Sequence, residues 1–190
     1  MTSLTQSGRG GRGARARILT AASELFYFEG INATGVERIA SRASVSKRTL
    51  YRHFPSKAAL VEEYLQRLRQ EAGESAAGTP RARLLALFEL SDSENGRMRG
   101  CPFHNAAVEA AGALPGVEHI VHLHKRDYID GLNELARQAG AADPEMLGNQ
   151  IAVLYEGASG LSTSLNDPAP WARARVAAEA LIDQAVGRAG

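Results

Sequence analysis

The stretch VSKRTLYRHFPSK, residues 45–57, crowds basic and imidazole side chains around a leucine, a tyrosine and a phenylalanine, and then meets a proline. Ser46 is a good helix N-cap and Pro55 cannot continue a helix, so the spacing predicts about two helical turns between them. Leu50 and Phe54 lie four residues apart and face inward together. We therefore expect five side chains of this helix to point outward, toward an anionic partner: Lys47, Arg48, Thr49, Arg52 and His53.

A second short helix precedes this one. In TGVERIASRA, residues 34–43, Thr34 and Glu37 have the spacing of a capping box. The expected inner face of the helix consists of Val36, Ile39, Ala40 and Ala43. Three residues, Ser-Val-Ser, then join the two helices. Two short helices with such a turn, the second basic at its exposed positions, match a helix-turn-helix, in which the second helix enters the major groove of DNA.

The predicted DNA contacts are of two kinds. Arginine can bridge the O6 and N7 atoms of guanine, so base reading is expected first from Arg48, and then from Lys47, Thr49 or His53. Phosphate contacts are expected from the hydroxyl of Tyr51 and from Lys57, which opens the next helix. The full predicted set of DNA-contacting residues is Thr34, Arg42, Ser46, Lys47, Arg48, Thr49, Tyr51, Arg52, His53 and Lys57.

The rest of the chain repeats the helical period, and no segment alternates with period two over the length of a strand. One helix is expected from Ala14 to a terminating Gly30, and further helices begin after the caps Ser56 and Thr79. Later helices are expected at about 80–91, 102–112, 117–139, 144–165 and 169–188. The sequence thus predicts an all-α protein of about nine helices. Its predicted parts are a disordered basic arm (1–13), a three-helix DNA-binding domain (14–58) and a second helical domain (59–190).

The charge distribution supports this division. Residues 1–57 hold ten Lys/Arg and three Asp/Glu, whereas residues 58–190 hold twelve and eighteen. Such an asymmetry indicates one half that meets a polyanion, with a flexible basic tail as the alternative. The single cysteine excludes an intramolecular disulfide, and neither a secretory signal nor a stretch of ~18 apolar residues is present. We expect a soluble, cytoplasmic protein without a membrane partner.

Residues 18–65 resemble the DNA-binding domain of the TetR/AcrR family of bacterial transcriptional regulators. The resemblance lies in F-x-x-x-G at 26–30, Ile-Ala at 39–40, V-S-K-x-T-L-Y-x-H-F at 45–54 and S-K-x-A-L at 56–60. Two positions depart from the family pattern. Ser44 stands where the turn often has glycine, so the turn is expected to be slightly strained, and Arg48 stands where relatives often have a small residue.

The resemblance implies a homodimer whose C-terminal domain, 59–190, binds a ligand and pairs through its last two helices. In the first of these helices, Gly157, Ala158 and Gly160 allow close approach, and the second offers Val176, Ala180, Ile182 and Val186. A purely intramolecular bundle is the alternative. The expected function is a repressor that binds a palindromic double-stranded DNA operator and is released by a small-molecule effector.

The candidate ligand-binding residues are Phe88, Phe103, His122, Tyr128, Tyr155 and Trp171. A redox-responsive alternative acts through Cys101, near Arg97 and Arg99, and a metal-responsive one through His119 and His122 with His104 or Glu118. An alternative of another class is a helical small-molecule-binding protein or enzyme. We find no nucleophile–base pair, no phosphate-binding loop and no close carboxylate pair, and so expect no catalytic residue, cofactor or resident metal.

Overall fold

The computed structural model describes residues 7–71, 77–89, 98–110 and 112–187. No strand occurs among these residues, and the all-α prediction is confirmed. The helices that they form are α1 (Ser7–Glu29), α2 (Val36–Arg42), α3 (Lys47–His53), α4 (Lys57–Glu71), α5 (Pro80–Ala86), α6 (Pro102–Ala110), α7 (Pro115–Gln138), α8 (Pro144–Leu165) and α9 (Ala169–Val186).

Most helix ends lie within two residues of their predicted positions, and two differ more. Helix α1 begins at Ser7 instead of Ala14, because extending an existing helix costs far less than nucleating one. Helix α5 ends at Ala86 with Leu87 as its C-cap, short of the predicted end at 91. Residues 1–6 of the predicted arm, and 90–91 of the predicted α5, lie outside the described residues.

The chain divides into two compact units. The N-terminal unit comprises Met1–Ala72 and Pro102–Val121, and the C-terminal unit comprises Gly73–Cys101 and His122–Gly190. The N-terminal unit therefore contains α4, α6 and the start of α7 in addition to the predicted DNA-binding segment. The predicted boundaries at 13/14 and 58/59 remain predictions.

The core of the N-terminal unit joins α1 to α4. Ile18 and Leu65 are fully buried, and the rings of Phe26 and Tyr64 lie 5.8 Å apart. Burial of such side chains is the main stabilising contribution to a small helical unit. Helix α6 is attached to the turn after α1, where the Asn32 N–H donates to the Glu109 carboxylate at 2.8 Å.

The C-terminal unit is built on α5, α7, α8 and α9, whose buried side chains form one cluster that includes Leu84, Leu132, Ile151 and Ile182. Helices α7 and α8 approach closely at Gly148, where an added Cβ would lie 2.7 Å from the backbone nitrogen of Asn133. None of the described helices combines the length and apolar character that crossing a bilayer requires.

Candidate nucleic-acid interface

Helix α3 is fixed by a cap at one end and two buried side chains on one face. The Ser46 hydroxyl accepts the Thr49 N–H at 3.1 Å, and Leu50 and Phe54 are 0% and 3% exposed. The predicted cap and inward face are therefore confirmed. At 100° per residue, Arg48 and Arg52 lie on the face opposite Leu50, and both are exposed. This face is the part of α3 that a DNA groove could contact.

In the turn between α2 and α3, Ser44 adopts a backbone conformation that is unfavourable for residues other than glycine. Ser44 has φ of +52°, in the left-handed region, and the N–H of Val45 donates to the Ala40 carbonyl at 3.0 Å. A non-glycine residue there is strained by about 1–2 kcal/mol, and the backbone hydrogen bonds hold it in place. The strain predicted for Ser44 is thus present in the backbone geometry.

Lys47 lies on the flank of α3 nearest α2. Its ammonium group forms an ion pair with the Glu37 carboxylate and lies 6.0 Å from the centre of the Tyr51 ring. The hydrogen bond to Glu37, and its charge, raise the pKa of Lys47, while the same bond lowers the pKa of Glu37. DNA contact by Lys47 therefore requires exchange of a carboxylate partner for a base or a phosphate. Tyr51 itself is 41% exposed.

The capping-box prediction for Thr34 is wrong. The N-cap of α2 is Gly35, which has no side-chain cap bond, and Thr34 is 0% exposed. Its hydroxyl donates to the Gly30 carbonyl at 2.7 Å and so stabilises the end of α1. Thr34 stands one position before the cap, where its side chain turns into the core. Because it is buried, Thr34 is removed from the set of proposed DNA contacts.

His53 also differs from its prediction. Its side chain is half-buried and its Nε2 atom is inaccessible, with no hydrogen-bond partner among the described residues. Thr49 is half-buried as well, and its hydroxyl lies 2.9 Å from that of Ser46. The outward face of α3 is thus narrower than predicted and centres on Arg48 and Arg52.

Other arginines of the N-terminal unit have partners within the chain. Arg42 pairs with Glu24 at 2.8 Å, and the Arg17 Nε–H donates to the Ala43 carbonyl at 3.1 Å. Arg15 pairs with Glu63 at 2.7 Å and lies over the Phe54 ring. Sequence reasoning missed these pairings, because the partners are separated by 18 to 48 positions or are backbone atoms.

The start of α4 has the features of the predicted phosphate site. The Ser56 hydroxyl accepts the Ala59 N–H at 3.0 Å, which confirms the predicted cap. Lys57 is half-buried, and burial lowers the pKa of its ammonium group against the opposing influence of Glu109. The side chain therefore has part of its water already removed, which strengthens its attraction for an anion at the helix start.

Four of the six candidate ligand-binding residues lie together in the C-terminal unit. Tyr155 is central, with its ring 5.5 Å from that of Tyr128 and 5.2 Å from that of Trp171. Phe88 and Trp171 belong to the buried core cluster of that unit, and Tyr128 and Tyr155 are partly buried and pack against it. Of the other two candidates, Phe103 belongs to the N-terminal unit and His122 is exposed.

The residues of the redox and metal alternatives are also located. Cys101 is a buried free thiol, and the Lys125 ammonium lies 3.6 Å from its sulfur. Arg97 lies outside the described residues. Within the described part of the chain, no group of three or more His, Cys, Asp or Glu side chains could hold a metal ion.

The N-terminal residues match known regulators in sequence. Residues 18–64 match the model of bacterial regulatory proteins of the tetR family. The HTH-type transcriptional activator FasR of Mycolicibacterium smegmatis is 51% identical over 53 residues, 28% of this chain and 24% of that protein. The HTH-type transcriptional repressor KstR2 of Rhodococcus jostii is 42% identical over 60 residues, 32% of this chain and 28% of that protein. The matches thus span about a quarter of the length of these curated relatives.

Solved structures extend the similarity to most of the chain. A TetR-family transcriptional regulator from Streptomyces coelicolor is 28% identical, with a TM-score of 0.78, and the match covers 92% of this chain and 97% of that one. A putative TetR transcriptional regulator from Streptomyces avermitilis is 25% identical, with a TM-score of 0.77 and coverage of 90% and 97%. The fold of both units is therefore that of transcriptional regulators.

Proposed function

We propose that this chain, which belongs to the TetR family of bacterial transcriptional regulators, binds a palindromic operator as a homodimer and represses transcription until a small molecule releases it. The observation that carries the proposal is the outer face of α3, where the exposed Arg48 and Arg52 lie opposite the buried Leu50. A capped, well-packed helix with two arginines on its open side suits a major groove. The matched segment is shared by an activator and a repressor, so the sign of regulation depends on where the operator lies.

Roles in DNA binding follow from the position of each side chain. Arg48, near the start of α3, is assigned to a base edge, and Arg52, one turn later, to a base or the adjoining phosphate. Tyr51 and Lys57 are assigned to phosphates, which position the protein without reading sequence. Lys47 is a second reader that must first leave Glu37.

The direct test is binding to the DNA that flanks the protein's own gene, measured by fluorescence anisotropy. We expect affinity at least ~10³-fold above that for unrelated DNA of equal length. Equal affinity for both DNAs at physiological salt would contradict an operator-binding function. It would favour the alternative of a helical small-molecule-binding protein or enzyme.

Homodimer formation is supported by an apolar exposed face on α8 and α9. Met146, Val153 and Leu161 share one side of α8 and are 56%, 72% and 56% exposed, and Val176 of α9 is 70% exposed. A run of exposed apolar side chains at helical spacing is typical of a protein interface. Two of the residues predicted for this face, Ala158 and Ile182, are instead buried in the core of their own unit, at 4% and 0% exposed, and are removed from the proposed interface.

The interface can be tested with glycines, because nothing in the described chain lies within 4 Å of a Cβ added at Gly157 or Gly160. We expect Gly157→Leu and Gly160→Leu to convert a dimer to a monomer in light scattering, since a partner helix would meet the new side chain. Gly131→Leu on α7, equally open within the chain, is the matched control and should remain dimeric. A stable dimer with both α8 substitutions would move the interface elsewhere. A monomeric parent protein would instead favour the intramolecular bundle.

Release by a small molecule is a population shift. The ligand must bind more tightly to a conformation of the protein in which the two α3 helices do not fit successive grooves. A coupling of about 1–3 kcal/mol would change operator affinity about 5- to 150-fold. Helix α7 is continuous and contributes residues to both units, which supports it as the element that carries the shift.

A redox-responsive regulator is the second candidate, and the Lys125 ammonium beside the Cys101 sulfur favours it. A neighbouring cation makes a thiol more reactive toward oxidants. The two candidates differ in the effect of peroxide on operator binding. Under the ligand-release proposal peroxide has no effect, whereas under the redox alternative it abolishes binding by the parent and not by Cys101→Ser.

A further inference from the structure

The aromatic cluster of the C-terminal unit contains hydrogen-bond donors without acceptors. The rings of Tyr128, Tyr155 and Trp171 come from α7, α8 and α9 and meet at angles of 52° and 74°. Trp171 is only 8% exposed. The Tyr128 hydroxyl and the Trp171 Nε1–H are both inaccessible and have no hydrogen-bond partner among the described residues.

Two unpaired donors in one cluster are energetically costly. A buried donor that lacks an acceptor costs about 1–3 kcal/mol, and most buried polar groups in native proteins are paired. In the same unit the Cys101 N–H follows this rule and donates to the Ser159 hydroxyl at 2.9 Å, whereas the buried Asn133 Oδ1 and Ser162 Oγ atoms also have no partner among the described residues. An indole N–H can only donate, so Trp171 can be satisfied only by an acceptor brought to it.

The surrounding charges define what can bring that acceptor. The ammonium of Lys125 and the carboxylate of Glu156 form an ion pair with each other, so the two opposite charges are already balanced. Burial, followed by the nearby Tyr155 and Glu156, raises the pKa of Tyr128, and its hydroxyl therefore remains a neutral donor at physiological pH. A charged ligand placed among these rings would lose hydration without gaining an unpaired opposite charge.

We infer that the C-terminal unit binds an uncharged molecule with an apolar body and a hydrogen-bond acceptor, such as a ketone, ester or lactone oxygen, held by the Tyr128 hydroxyl and the Trp171 indole N–H. This inference rests on the proposed ligand-responsive function and names the class of its effector. The rings contact the apolar body, and the two donors select for the acceptor.

The chain contains one tryptophan, which gives a specific probe. Its ¹⁵N–¹H correlation spectrum holds one indole N–H signal, that of Trp171. We propose to titrate the full chain with phenyl, naphthyl and octyl compounds, each as a methyl ketone, a carboxylate, an ammonium and the plain hydrocarbon. At least one ketone should move the indole proton downfield in a saturable manner, and more than its hydrocarbon partner does. The inference is overturned if no ketone moves the signal, or if the carboxylates or ammonium compounds bind more tightly.

A conservative variant separates hydrogen bonding from packing. Tyr128→Phe keeps the ring and removes the hydroxyl, so ketone affinity should fall about 2- to 10-fold while hydrocarbon affinity is unchanged. Tyr27→Phe in the N-terminal unit is the control and should change neither. An indole signal that stays away from its random-coil position shows that Tyr128→Phe is folded. Equal loss of affinity for ketone and hydrocarbon would assign Tyr128 to packing alone and would contradict the proposed acceptor site.

The same samples distinguish this inference from the proposed function. Operator affinity is measured by anisotropy with and without the saturating ketone. A saturable indole shift without any change in operator affinity supports the acceptor site and contradicts release by ligand. An unmoved indole signal, with specific operator binding intact, overturns the acceptor site and leaves the DNA-binding function standing.

Discussion

Replacing Arg48 with alanine is expected to change which operator sequence the protein prefers. Arg48 is exposed on the face of α3 opposite Leu50, and no hydrogen bond or ion pair within the described residues holds it. Its guanidinium can therefore contact DNA without first breaking an intramolecular contact, unlike the Lys47 ammonium, which is paired with Glu37. Its place near the start of α3 is where recognition helices commonly meet base edges.

The expected magnitude follows from the geometry of a bidentate contact. An arginine that bridges guanine O6 and N7 contributes about 1–3 kcal/mol of discrimination, so Arg48→Ala should weaken the best operator about 5- to 150-fold. In a homodimer the preference should relax at one position in each half-site, symmetrically. Arg48→Lys keeps the charge but loses the planar fork, so it should recover only part of the affinity and less of the selectivity.

Selection from a randomised operator library, followed by anisotropy titrations, measures both quantities. Arg137→Ala, an exposed arginine of the C-terminal unit, provides the control for loss of one positive charge. If Arg48 contacts only phosphate, Arg48→Ala will lose affinity evenly across the library and keep the parent's sequence logo. In that case Arg48→Lys will restore binding almost fully, and base reading must be reassigned to Lys47, Thr49 or Arg52.

Three further substitutions, two of them with a matched control, test the phosphate contact of Lys57, the turn before α3 and the packing of α8 against α7. Lys57→Ala should weaken specific and unrelated DNA alike and reduce the slope of log affinity against log salt by about 0.9 for each phosphate that is no longer neutralised; altered operator preference at an unchanged slope would contradict the phosphate role. Ser44→Gly should raise the free energy of unfolding by about 0.5–1 kcal/mol, because glycine adopts the left-handed conformation without strain. The control, Ser41→Gly in α2, should lower the free energy of unfolding by about 0.5 kcal/mol. Urea denaturation measures both changes, and destabilisation by Ser44→Gly would show that the turn is unstrained. Gly148→Ala should destabilise the protein by about 1–3 kcal/mol, because its Cβ meets the α7 backbone. The control, Gly131→Ala, has open space around it and should stabilise the protein by up to about 1 kcal/mol. Equal effects of the two substitutions in thermal unfolding would refute the close approach of α7 and α8.

Local signals in the sequence predicted most of the fold. Ser46, Ser56 and Thr79 cap the helices that they were expected to cap, because a hydroxyl and the N–H three positions later are fixed by the same short stretch of backbone. The inward positions of Leu50 and Phe54 follow from the helical period alone. The prediction for Thr34 was wrong because two neighbouring residues could both serve as the N-cap of α2. The choice of Gly35 depends on the Thr34 side chain, which packs into the core and bonds to the end of α1 four residues earlier.

The DNA-facing surface was harder to predict, because it depends on which cations are already paired. Counted along the sequence, the first 57 residues carry ten Lys and Arg, but Arg15, Arg17 and Arg42 are bound to other parts of the same unit. A pattern of residue types cannot distinguish an arginine that holds a helix in place from one that is available to a phosphate, since both are exposed and both are basic. The distinction comes from tertiary packing, which brings Glu63 to Arg15 and Glu24 to Arg42. The same packing leaves the guanidiniums of Arg48 and Arg52 on the open face of α3, and for this reason selectivity and salt dependence should respond to α3 and Lys57 rather than to the total charge of the half.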